Sequence, residues 1–167
     1  IICYATSETI LDSFMKTLPR IRDQKFFIYG TNEDRTVKNC IFKSASTEGF
    51  LKDLSTCRGI IATGGFSLIS ECLHLRKKML LIPIQNQYEQ MINAVNMKRL
   101  SLGQYSANIN SNAVYRYLDF LNEPEVLSDE VFLPDNNAVF NIIDNCIKKA
   151  TQNCISLRGK TSYVDVA

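Results

Sequence analysis

No apolar run in this 167-residue chain approaches the roughly 20 residues that a membrane-spanning helix needs. The longest, Met79 to Ile84, has the length of a buried strand. A secretory signal is also missing, since Ile1-Ile-Cys-Tyr-Ala5 has neither a basic flank nor a cleavage pattern. Neither sign of charge dominates: 19 Lys and Arg face 17 Asp and Glu, and a formal charge of +2 gives no case for nucleic acid or a membrane surface as partner. With one histidine, His74, a histidine metal cluster is excluded. The six cysteines (Cys3, Cys40, Cys57, Cys72, Cys146, Cys154) contain no C-x-x-C and are irregularly spaced. Zinc binding or a disulfide framework is therefore disfavoured against reduced, mostly buried thiols in a cytoplasmic protein. An initiating Met is absent and the chain opens inside what reads as a strand, so it is expected to be a piece of a longer protein. Any membrane association is expected to come through the part outside this chain. Internal repeats and low-complexity segments are lacking too.

What is present is an ordinary globular composition, 46% hydrophobic and 22% charged, in a length that suits one domain with a sizeable core. Short apolar runs alternate with helical patterns. Strands are expected at 1–5, 25–30, 39–42, 59–62, 79–83 and 105–108, with Gly103 ending the helix before the last of them. Helices are expected at about 8–18, 46–54, 67–76, 88–100, 110–121 and 137–149. The link between the second and third strands is about eight residues, short for a parallel crossover. The pattern predicts a three-layer, Rossmann-like α/β domain over 1–153 with a mostly parallel sheet of about six strands, then a polar tail over 154–167. Ligands of such sheets bind beyond the carboxyl ends of the strands where strand order reverses. The first and fourth predicted strands flank that reversal. Thr6-Ser7 follows one and Thr63-Gly-Gly-Phe-Ser67 the other.

Gly64-Gly65 after a strand and before a helix permits close approach of a ligand to backbone, with helix N–H groups behind it, which suits an anion such as a phosphate. A tight strand-to-helix turn explains the same pair. It is neither a G-x-G-x-x-G fingerprint nor a P-loop. Glu71, in the helix that follows, can accept hydrogen bonds from two sugar hydroxyls or complement a helix dipole. Glu89 and Gln90, with Asn93 one turn on, can address the hydroxyls of a hexose or stand as solvated helix-start residues.

Taken together, Thr63-Gly-Gly-Phe-Ser-Leu-Ile-Ser-Glu71, Leu81-Ile-Pro83 and Glu89-Gln90-x-x-Asn93 resemble the donor-binding half of GT-B glycosyltransferases. The nearest groups are the peptidoglycan-precursor N-acetylglucosaminyltransferase and the UDP-glycosyltransferases. The resemblance implies the C-terminal Rossmann-like domain of that fold, binding a UDP-sugar without a metal. It assigns the diphosphate to Thr6, Ser7, Thr63, Gly64, Gly65, Phe66, Ser67 and Leu68, and the ribose to Glu71. The base goes to Phe42, Lys43 and Ser44, mainly through backbone, and the transferred sugar to Glu89, Gln90 and Asn93. Two positions depart from the pattern. Thr63 stands where plant members have a histidine, and Leu68 where a Ser or Thr is usual, with loss of one hydroxyl contact. No D-x-D triplet occurs. The general base is implied to lie in an acceptor-binding N-terminal domain or separate chain, so no catalytic residue is expected here and the isolated chain is expected to be inactive. The alternatives are a nucleotide-sugar 2-epimerase domain and a non-catalytic nucleotide-sugar-binding or docking module.

Overall fold

A computed structural model describes residues 1–44, 46–124 and 136–158, with side chains described as far as residue 152. The chain divides into two compact units, Ile1–Ser128 and Asp129–Ala167. The first holds a seven-stranded sheet. Its strands are β1 (Ile2–Tyr4), β2 (Phe26–Tyr29), β3 (Arg35–Val37), β4 (Cys40–Phe42), β5 (Gly59–Ala62), β6 (Lys78–Leu81) and β7 (Gly103–Tyr105). Helices α1 (Glu8–Thr17), α2 (Thr47–Thr56), α3 (Phe66–His74), α4 (Tyr88–Arg99) and α5 (Ser111–Asn122) connect or flank them. In the second unit α6 (Asn136–Arg158) is described; it continues past Lys149, where the apolar pattern fades, and past Cys154, where only a polar tail was expected.

The sheet order is β3-β4-β2-β1-β5-β6-β7, and every pairing is parallel except β3 with β4. Successive side chains of the central strands point to opposite faces, and both faces are buried, so each strand reads as a continuous apolar run. Cys3, Ile61 and Leu80 join Phe14 of α1 and Val114, Tyr117 and Phe120 of α5 in one core. Their neighbours Ile2, Ile60 and Met79 join Leu54 of α2, Ile69 and Cys72 of α3 and Ala94 of α4 in the other. These are the three predicted layers.

Two differences from the expected elements have local causes. The short link between β2 and β4 holds no crossover helix: the chain returns along β3 at the sheet edge, antiparallel to β4, and turns at Lys38 (φ 56°). β3 gives little sequence signal because Arg35 and Thr36 are exposed, as edge residues often are. Gly103 begins β7 instead of ending α4. The helix is terminated by Ser101 at φ 58°, a conformation usually given to glycine. Gly103 is instead needed for packing, because a Cβ there would lie 3.0 Å from the Met79 carbonyl oxygen of β6.

Candidate functional site

From β1 the chain moves to β2 on one side, and from β5 to β6 and β7 on the other, so strand order reverses between the paired strands β1 and β5. A crevice of about 450 Å³ opens there. Tyr4 and Thr6 come to it from β1 and its loop, Tyr29 and Gly30 from the end of β2, and Phe50 and Leu51 from α2. The opposite side is Thr63, Gly65, Phe66, Ser67, Leu68 and Glu71. The two expected loops do converge, and α2 adds a third wall.

The Gly64-Gly65 turn is shaped by two different demands. Gly64 has φ 98°, outside the comfortable range of L-residues, and a Cβ on it would sit 3.1 Å from the Gln90 carbonyl oxygen. Gly65 has an ordinary extended backbone (φ −64°, ψ 137°) as the N-cap of α3, and a Cβ there would meet nothing within 4 Å. Space in front of Gly65 therefore belongs to the crevice. No side chain caps α3, whereas Ser7, Ser46 and Asn110 cap α1, α2 and α5. The first-turn N–H groups of α3 are left to solvent or a ligand. Glu71 lies in the second turn of α3, beyond the first-turn reach of the helix dipole, which removes the dipole as the reason for its position.

The remaining candidates fall in different places. Ser7 is engaged as a helix cap, its Oγ accepting the Ile10 N–H at 3.4 Å. Thr63 is buried, while Ser67 is exposed beside half-buried Leu68, which also packs into the core under α3. On α4, Asn93 donates to the Gly64 carbonyl oxygen at 3.1 Å, and the Gln90 side-chain oxygen accepts the Ile84 N–H at 3.1 Å. Asn93 ties α4 to the Gly64 loop, and Gln90 holds the loop that leads into its own helix. Glu89 is exposed on the first turn, and none of Glu89, Gln90 and Asn93 lines the crevice. Phe42 is sealed in the core, with the Arg35 guanidinium 4.3 Å from its ring centroid at the sheet edge. The Ser44 N–H and hydroxyl both donate to the Asp34 carboxylate, at 2.7 and 3.1 Å. Lys43 is paired with Asp53. The Lys43 N–H donates to the Ile28 carbonyl oxygen at 3.0 Å, and none of Phe42, Lys43 and Ser44 lines the crevice. His74 closes α3, at the far end of the helix from Gly65.

What sequence reading missed is an aromatic wall. Tyr4 and Tyr29 are register partners at the carboxyl ends of β1 and β2. The Phe50 ring stands 5.4 Å from Tyr4 and 5.0 Å, edge-on, from Tyr29. The signal was available: two strands that pair in parallel and both end in Tyr put the rings side by side. Behind the wall the Tyr29 hydroxyl donates to Asp53 at 2.7 Å, and Lys43 donates to the same carboxylate oxygen. Burial, then the hydrogen bond to Asp53 and its charge, push the Tyr29 phenol well above its ordinary pKa. Burial acts to raise the Asp53 carboxyl, but the hydrogen bonds from Lys43 and Tyr29 and the Lys43 charge outweigh it and hold the group below the usual carboxylate value. Among the described residues no group of three or more His, Cys, Asp or Glu could hold a metal ion, and no helix is long and apolar enough to cross a membrane.

This fold has relatives among solved structures. The glycotransferase of kitacinnamycin superposes with a TM-score of 0.58 at 14% identity, over 74% of this chain and 35% of that one. Spinosyn forosaminyltransferase SpnP gives the same values. The glycosyltransferase SnogD from Streptomyces nogalater has a TM-score of 0.54 at 18% identity, over 71% of this chain and 33% of that one. The chain thus spans about a third of the length of the solved structures it matches, and its seven-stranded layout is the Rossmann-like one of GT-B glycosyltransferases. No curated protein sequence matches it. The family model described as glycosyl transferase family 1 matches residues 1–122, which hold the sheet and helices α1 to α5. The crevice at the strand reversal, the uncapped α3 and the match over residues 1–122 coincide in one unit: the chain belongs to glycosyl transferase family 1.

Proposed function

We propose that this chain is the nucleotide-sugar-binding half of a glycosyltransferase, with a UDP-sugar as donor. The hexosyl group passes to an acceptor held by another domain or another chain. The observation that carries this reading is the junction of the uncapped α3 N-terminus, the open space before Gly65 and Glu71 on one wall of the crevice. A diphosphate at Gly65 would accept the free N–H groups of the first turn, and negative charge there is favoured by the helix dipole. Glu71, about one and a half turns on, is placed for a pair of ribose hydroxyls. The aromatic wall across the crevice offers a face for the base.

In transfer, the donor's bond from sugar to diphosphate breaks and charge builds on the departing oxygen. Fixed N–H dipoles aimed at that oxygen stabilise it without reorganising, which is this half's contribution to rate. Deprotonation of the acceptor is assigned to a group outside the chain, since His74 sits at the wrong end of α3. Asn93 and Gln90 hold the Gly64 turn and the loop before α4, leaving Glu89 as the exposed member of the three. Calorimetric titration with UDP tests the reading. Binding in the micromolar to millimolar range is expected, weakened about tenfold in Glu71→Ala by loss of a charged hydrogen-bond acceptor. No binding at millimolar UDP, or an undiminished affinity in the variant, sinks it.

A further inference from the structure

Helix α2 forms a wall of the crevice but is weakly seated. It has ten residues, of which Leu54 alone is fully buried. Its polar anchor is Asp53, which lines no part of the crevice. The Asp53 carboxylate receives the Tyr29 hydroxyl at 2.7 Å from the end of β2 and the Lys43 ammonium from the loop after β4. The Tyr29 oxygen also lies 3.4 Å from the Gly49 carbonyl of α2, and Lys43 stands 4.8 Å above the Phe27 ring. Three segments distant in sequence are joined at one carboxylate. Phe50 precedes Asp53 by three positions, so the two side chains share a helix face. The face that grips Tyr29 through Asp53 is thus the face that sets Phe50 edge-on against the Tyr29 ring and close to Tyr4.

We infer that Asp53 is a positioning residue that fixes the aromatic wall for the nucleoside end of the ligand while leaving the diphosphate end untouched. The inference rests on the donor-site reading above. Replacing the carboxylate by an amide removes the charge that pairs Lys43 and leaves one neutral acceptor oxygen for the Tyr29 phenol, so that Phe50 loses its fixed edge contact. The Gly65 end belongs to β5 and α3, which touch neither Asp53 nor Lys43 through any of these bonds.

The experiment compares UDP, uridine and inorganic pyrophosphate binding to the full 167-residue chain by ligand-observed NMR, in wild type and Asp53→Asn. Asp53→Asn is expected to weaken UDP and uridine by the same factor, about tenfold, and pyrophosphate by less than about twofold. If Asp53→Asn does not fold, Tyr29→Phe carries the test. It keeps the ring, deletes one donor, and is expected to weaken uridine about threefold with pyrophosphate unchanged. Uridine affinity unaltered in both variants overturns the inference, and so does an equal loss of uridine and pyrophosphate, which marks general loosening. A wild-type chain that binds none of the three ligands overturns the donor-site reading itself, and the inference with it.

Discussion

Adjacent glycines at the centre of the motif have opposite expected responses to the same substitution. At Gly64 an alanine must hold φ 98°, where its Cβ meets the Gln90 carbonyl oxygen at 3.1 Å. A left-handed backbone costs an L-residue about 1–2 kcal/mol. Relief of the contact moves the Gly64 carbonyl relative to Asn93, which puts a hydrogen bond worth about 1 kcal/mol at stake. Gly64→Ala should therefore lose about 2–3 kcal/mol, lowering a urea midpoint by about 1 M at a typical slope. At Gly65 the backbone is one that alanine adopts freely and the methyl meets nothing within 4 Å. Gly65→Ala should be neutral or gain about 0.4–1 kcal/mol through a less flexible unfolded chain. The same methyl projects into the crevice, so UDP affinity should fall although stability does not. Urea unfolding followed by circular dichroism, with UDP titration of each variant, separates the effects. Equal stability losses at the two positions, or a Gly64→Ala loss below about 0.5 kcal/mol, would refute the assignment of strain to Gly64 and space to Gly65.

The other expectations concern the scaffold. A Cβ on Gly59 would lie 2.2 Å from the Tyr117 hydroxyl and 2.9 Å from the Lys78 carbonyl oxygen, so Gly59→Ala should destabilise severely. Adding Tyr117→Phe should recover part of that loss, although alone it costs about 1 kcal/mol by deleting the 2.9 Å bond to Lys78; denaturation of the double-mutant cycle measures the coupling. Asp53 has a lowered carboxyl pKa in the fold, so its stabilisation is present above the unfolded-state value and is lost as pH falls through the folded one. Asp53→Asn should thus lower stability at pH 7 and narrow the gap to wild type below about pH 4, read from melting temperatures across that range. Burial raises the Cys40 and Cys72 thiols to about 11 and about 12, and Cys3 well above the ordinary value, whereas Cys146 is exposed. A thiol reagent at pH 8 should label Cys146 in the native protein and the three buried cysteines only on unfolding, as mapped by mass spectrometry.

The parallel core was legible because strands buried on both faces are written as unbroken apolar runs, as in Ile60-Ile-Ala62 and Met79-Leu-Leu81. Caps were legible where Ser7 and Ser46 stand before an apolar periodicity, and the strand reversal followed from strand order. What escaped was written in exceptions to the usual residue code. Ser101 takes the left-handed turn that a glycine normally signals, which left Gly103 to be read as the stop. β3 is polar because it is an edge, so its three residues look like loop. The aromatic wall depends on register: Tyr4 and Tyr29 are 25 positions apart and meet only because β1 pairs with β2 in parallel. Among the motif residues Glu71 lines the crevice, whereas Asn93 ties α4 to the Gly64 turn and Gln90 holds the loop before α4, roles that spacing does not show.

Those two ties change how the site works as a unit. On the donor-site reading proposed above, the sugar and diphosphate ends of the donor would otherwise meet separate loops, free to move against each other. Asn93 closes that freedom with one bond to the Gly64 carbonyl, and the Gln90 backbone packs against Gly64 from the same side. Gly64 takes a left-handed turn against which α4 packs closely, and a side chain there would meet the Gln90 carbonyl oxygen at 3.1 Å. Effective transfer requires the bond that breaks to be fixed relative to the dipoles that receive its electrons, with tolerances well below an ångström. On that donor-site reading, the contact between α4 and the Gly64 turn would hold both ends of that bond in one frame. A polar residue of the matched region need not line the crevice to shape it: Asn93 holds the Gly64 turn to α4.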